Sequence, residues 1–154
     1  MNIPTAIKEI LVHNHWDEFN FQMMSDCYAD KLKQSYSKFD YPLNDGIISK
    51  IALFYNMKLE LNQSNILYFD VKKIKKYNPE AMQKVAVKLK VNKVIYLADI
   101  HPGYLIVWLD EQEQVWADYD NLVYYYGSDI FSGVQNIVSG NILETTKLVS
   151  NDER

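Results

Sequence analysis

Asp118 and Asp120 stand two residues apart in "VWADYDN". On a strand that spacing puts both carboxylates on one face, the arrangement that general acid–base chemistry needs. The plainer reading of the same spacing is a row of solvated polar residues on the open side of an antiparallel sheet. The pair belongs to a longer stretch, "HPGYLIVWLDEQEQVWADYDNLVYYYG" (101–127), which also holds Asp110, Glu111 and Glu113. That stretch contains two tryptophans and five tyrosines and neither lysine nor arginine, so an acidic aromatic docking face is the third possibility. Aromatic rings supply contact area at low entropic cost, and carboxylates attract a cationic partner.

The other reactive side chains carry less. His13 and His15 in "HNHW" fall at the end of a helical pattern, where residues two apart do not share a face, and no Cys, Asp or Glu cluster completes a metal-binding set. Cys27 reads as a small buried hydrophobe in mid-helix, and His101 as a loop residue in "DIHPG". Nucleophile-elbow, phosphate-loop, dinucleotide, zinc-protease and CxxC patterns are absent, and five glycines are few for a phosphate cradle. These readings imply no cofactor and no metal.

Stepping out from these residues, 154 residues with 48% hydrophobic content suit one globular domain. One cysteine precludes an internal disulfide, and no apolar run approaches the roughly 20 residues that span a bilayer. The N-terminus lacks the basic and apolar regions of a signal peptide, so a cytoplasmic setting without membrane contact is expected. Net charge is −4, unevenly spread. Residues 72–93 carry eight lysines against Glu80 alone, whereas 94–146 carry eight acids and no Lys or Arg. Without interleaved aromatic residues the lysines read as a solvated helix face, and direct nucleic-acid binding is not expected.

Hydrophobic periodicity predicts three helices first: one after Pro4, one over about 20–38, and one capped by Asn44. Two strands, "MKLELN" and "NILYFDV", follow. Asn78 and Pro79 start a fourth helix. Four strands come next, "KVIYLADI", "GYLIVWLD", "QVWADYD" and "LVYYY", the first two apolar on both faces and therefore central. Ser128 caps a closing helix that Gly140 ends. The expected class is α+β: a largely antiparallel sheet of five to six strands, packed by the N-terminal helices, with one helix inserted between strands and one closing it. Residues 1–140 form the single domain, and 141–154 a frayed tail.

Residues 44–140 resemble the bacterial immunity-protein group of the SUKH superfamily. The resemblance rests on "ISKIALFYNMKLEL", "ILYFDV", "VIYLADI", the acidic turn after Leu109-Asp110, Val115-Trp116, Gly127, and the closing helix "SDIFSGVQNIVSG". His15-Trp16 corresponds to the family's Gly-Trp. Two glycine positions of the family differ: its two-glycine helix-to-strand turn appears as Tyr55-Asn56-Met57, and the glycine of the acidic hairpin turn is absent from "DEQEQ". The resemblance implies a cytoplasmic protein without enzymatic activity that binds and neutralises a cognate polymorphic toxin. The residues expected to meet that partner are Asp110, Glu111, Glu113, Trp116, Asp118, Asp120, Tyr124 and Tyr126. Two rival expectations are a regulatory or scaffolding protein-binding domain of the same fold, and a small hydrolase using Asp118 and Asp120.

Overall fold

In the computed structural model, which describes residues 1–102 and 105–149, the chain forms an α+β fold. Three helices come first: α1 (Thr5–His13), α2 (Glu18–Tyr36) and α3 (Asp45–Leu53). Short strands β1 (Lys58–Glu60) and β2 (Ile66–Tyr68) lead through the 3-10 segment Val71–Lys76 to α4 (Pro79–Leu89). Then come β3 (Val94–His101), β4 (Leu105–Asp110), β5 (Val115–Tyr119), β6 (Leu122–Gly127), α5 (Ile130–Ser139) and β7 (Glu144–Lys147). The strands lie in sequence order from β1 to β7, each antiparallel to its neighbour. Sequential neighbours pair throughout, through short turns from β3 to β6 and through α4 and α5 at the β2–β3 and β6–β7 connections, so the sheet keeps meander order.

Local chemistry explains the boundaries. Asn44 and Asn78 cap α3 and α4 by accepting the Ile47 and Ala81 N–H groups, as their positions predict. At α5 the cap is Asp129 rather than Ser128. Its carboxylate accepts the Ser132 N–H at 2.8 Å while the Ser132 hydroxyl accepts the Asp129 N–H at 3.3 Å, a reciprocal capping box that a lone serine cannot make. Cys27, expected to be buried, is exposed on α2. Only Leu32, Ser35 and Tyr36 of that long helix are buried, so its apolar stripe is confined to the C-terminal half.

The sheet has seven strands rather than five or six. The additional strand is β7, inside the segment expected to be a frayed tail, with Glu144 opposite Tyr125 and Lys147 opposite Leu122. All four of its residues are exposed, so no hydrophobic alternation marks it in the sequence. Pairing with β6 holds it in place. Gly103 and Tyr104, expected to begin β4, and 150–154 of the expected tail lie outside the described residues.

The faces of the sheet differ. Val107, Leu109, Val115 and Ala117 are buried and alternate toward α5, which packs across β5 and β6 with α1 and α3 behind it. That approach is close: a Cβ on Gly127 would come within 2.6 Å of the Gly133 nitrogen. The intervening residues of the same strands, Trp108, Trp116 and Asp118, therefore point to the opposite face. Over β3 and β4 that face is covered by the approach to α4, where Tyr77 stacks near Tyr96 at 5.4 Å and meets Trp108 edge-on at 5.3 Å. Over β5 to β7 it is open, which sets up the site.

Candidate docking face

The acidic hairpin between β4 and β5 is built around Asp110, whose side chain is buried. One carboxylate oxygen accepts the Gln112 and Gln114 backbone N–H groups at 2.9 and 2.8 Å. The other accepts the Gln114 side-chain amide and the Trp116 indole N–H, both at 2.9 Å. Four neutral donors thus close the turn and fix the indole ring without cancelling the charge. Tyr125, opposite Trp116 on β6, lies 4.8 Å from its ring and donates its hydroxyl to Gln114 at 3.1 Å. The Tyr125 hydroxyl is held above its ordinary pKa by burial and then by the Asp110 and Glu144 carboxylates.

The other expected acids divide by their partners. Glu111 accepts the Asn92 and Lys93 backbone N–H groups at 3.2 and 3.0 Å, tying the hairpin to the turn after α4. Burial pushes its pKa up, but those hydrogen bonds and the Lys93 charge outweigh it, and the net shift is downward from 4.5. A lowered folded-state pKa stabilises the fold fully above about 4.5, and that contribution is lost as pH falls through the lower value. Glu111→Gln should therefore show a shallower loss of stability below about pH 4.5 than the native chain, read from urea midpoints across that range.

Glu113 and Asp118 are each paired with a cation. Glu113 meets Lys50 at 2.7 Å and accepts the Ile130 N–H at the start of α5 at 3.1 Å. Asp118 meets Lys88 of α4 at 2.6 Å and accepts the Trp108 indole N–H at 2.6 Å. Asp120 is exposed at φ +54° in the β5–β6 turn, outside the strand alternation, and its carbonyl accepts Lys88. Asp118 and Asp120 therefore do not form the side-by-side pair that the strand spacing implied, which counts against the hydrolase reading. Tyr124 lies opposite Ala117 and so faces the α5 side, and Tyr126 is buried. Of the eight expected contact residues, the structure gathers Asp110, Glu111, Trp116 and Asp118 on the open side.

Between the C-terminal end of α4, the acidic hairpin and β7 lies a cleft of about 740 Å³. Trp116, Val123 and Leu148 give it apolar surface, with Glu111, Glu144 and Lys90 among its charged walls. The Lys88 charge is offset by Asp118, which leaves Glu111 and Glu144, with Asp110 beneath, against Lys90. The field in the cleft is negative on this count.

Three contributors escaped the sequence reading: Tyr125, Gln114 and Glu144. Tyr125 could have been found from strand parity, which already separates it from Tyr124. Glu144 needed β7, which no pattern announces. The basic segment also has a role the sequence did not reveal. Lys73, Lys84, Lys88 and Lys93 pair with Asp99, Glu80, Asp118 and Asp40, so half of the eight lysines in 72–93 are matched to carboxylates. Among the described residues no group of three His, Cys, Asp or Glu side chains is placed to hold a metal ion. Among the same residues no helix is long and apolar enough to cross a membrane. No family model, curated protein or solved structure matches this chain.

Proposed function

We propose that this chain is a cytoplasmic, SUKH-like immunity protein without enzymatic activity, which binds a cognate toxin domain and neutralises it by occlusion. The cleft floored by Trp116 is its docking face. The observation that carries the reading is a backbone one. In each segment where the family pattern has a glycine turn and this chain has none, one residue adopts the left-handed conformation that favours glycine: His15 at φ +68°, Asn56 of Tyr55-Asn56-Met57 at +55°, and Glu113 of the hairpin turn at +66°. Ser64, Lys90 and Asp120 share that conformation elsewhere, and the bends in the three family segments agree with the resemblance. Gly127, the one of these glycines retained, sits where an added Cβ would strike α5.

The electrostatics favour the same reading. A toxin that acts on nucleic acid must present cations to phosphate, and a negative cleft with a rigid aromatic floor complements such a surface. Asp110 and Glu111 accept hydrogen bonds from neutral N–H groups, whereas Glu113 and Asp118 are matched by lysines at 2.7 and 2.6 Å. The expected acidic face thus narrows to Glu111 and Glu144 around Trp116, with Asp110 buried beneath.

The backbone argument has its own check. His15→Gly should leave stability unchanged or raise it. His15→Val, a branched residue in the left-handed region, should cost about 1–2 kcal/mol in urea unfolding. The functional test is co-expression with a candidate toxin domain, sought in a reading frame adjacent to the gene for this chain. Growth should be restored by the native protein, and continued killing with both proteins folded and present would sink the proposal.

A further inference from the structure

We propose that the Trp116 cleft is a guanidinium site, taking an arginine side chain of the partner stacked on the indole and paired with Glu111 and Glu144. This inference rests on the docking-face reading and names the group that the face selects.

Three features of the cleft point to that group. First, the indole is fixed: Asp110 accepts its N–H at 2.9 Å, and Tyr125 lies against it at 4.8 Å. A carboxylate drawing on the ring N–H polarises the indole so that its face becomes more attractive to a cation. Second, the face of the indole is not taken by a cation of the described residues. Four lysines of the chain lie over the rings of Phe39, Phe131, Tyr68 and Tyr96, at 5.0 to 5.8 Å. Among the described residues none lies over Trp116. Lys88 and Lys90 both line the cleft, and Lys88 is engaged by Asp118 and the Asp120 carbonyl.

Third, the walls choose between cations. Val123 and Leu148 beside the indole make the floor apolar, which disfavours a strongly hydrated ammonium. A guanidinium is flat and weakly hydrated, and its fork of N–H groups reaches two carboxylates at once. Glu144 lies opposite Tyr125 across the β6–β7 pair, and Glu111 is anchored by two backbone N–H groups on the hairpin side. The cleft of about 740 Å³ has room for one such side chain and part of the segment that carries it. Capturing arginine suits occlusion, since the captured side chain is withdrawn from the phosphate it would otherwise contact.

The test needs no toxin. The purified chain, labelled with nitrogen-15, is titrated with N-acetyl-arginine methylamide while the three tryptophan indole N–H resonances are followed. The lysine analogue and the citrulline analogue, which is neutral and nearly isosteric, are titrated in parallel. The expected result is a saturable shift of the Trp116 resonance at low millimolar arginine analogue, with the Trp108 resonance still. Citrulline should bind at least tenfold more weakly and lysine several-fold more weakly. Glu144→Gln should weaken arginine binding several-fold, and Trp116→Leu should abolish it, with an unchanged urea midpoint and an unmoved Trp16 resonance, distant from the sheet face, showing that the fold persists. Equal binding of citrulline, or no shift at Trp116 with arginine, overturns the proposal. If the toxin domain is neutralised but arginine leaves Trp116 unmoved, the guanidinium site fails and the immunity reading stands. If arginine binds and the toxin does not, the reverse holds.

Discussion

Asp110→Ala should lower the stability of this protein by about 3–5 kcal/mol, since the buried carboxylate accepts from four converging donors. Without it the Gln112 and Gln114 N–H groups and the Trp116 indole N–H lose their acceptor at a part-buried site. Each such donor costs about 1–3 kcal/mol, in part recovered where the turn can relax toward solvent. The total is a large share of the roughly 5–15 kcal/mol that holds a domain of this size together. Asp110→Asn separates acceptor chemistry from volume. Its amide turns a donor toward one of the donor pairs, so most of the loss should remain although the shape is conserved. Urea unfolding with an unchanged slope would report both losses. A cost below about 1 kcal/mol for the alanine variant would show that Asp110 does not organise the hairpin.

Trp116→Ala should weaken toxin binding by at least about 2 kcal/mol, roughly thirtyfold, mostly through faster dissociation. The half-buried ring is held by Asp110 and Tyr125 in the negative cleft, so its contact surface is already ordered before the partner arrives. Tyr124→Phe is the matched control, because Tyr124 faces the α5 side of the sheet and should leave affinity unchanged. Reversing Glu111 and Glu144 to lysine should instead slow association, and the effect should shrink as salt rises. Unchanged affinity for Trp116→Ala, with the fold intact, would move the docking face elsewhere.

The contrast between Tyr124 and Trp116 shows how far the sequence can be read. Strand alternation separates Trp116 and Asp118 from Ala117 and Tyr124, but it fails at Asp120, which lies in the turn, and at the irregularity between Val115 and Trp116, where β6 carries one more residue than β5. Beyond that offset parity no longer locates Tyr126, which is buried. The helix caps at Asn44 and Asn78 were legible because each rests on a side chain and a backbone N–H three residues away. β7 was not legible, because its order comes from pairing with a distant strand.

The charge pattern was visible and its meaning was not. A basic middle followed by an acidic third looks like two surfaces for two partners. Folding instead lays one against the other, with Lys73 on Asp99, Lys88 on Asp118 and the Asn92–Lys93 backbone on Glu111. Composition cannot report this, because the contacts join residues 18 to 30 positions apart across a helix and a sheet face. What remains for a partner is the smaller set of carboxylates that only N–H groups satisfy, together with Glu144.

The most direct measurement of the proposed function is a titration of the purified chain into a purified candidate toxin domain, sought in an adjacent reading frame, following complex mass by light scattering and toxin activity in the same samples. The account predicts an equimolar complex whose formation tracks the loss of activity, with both effects weakened together by Trp116→Ala. A folded and active toxin that forms no complex with this chain, or a complex in which activity persists undiminished, would contradict it.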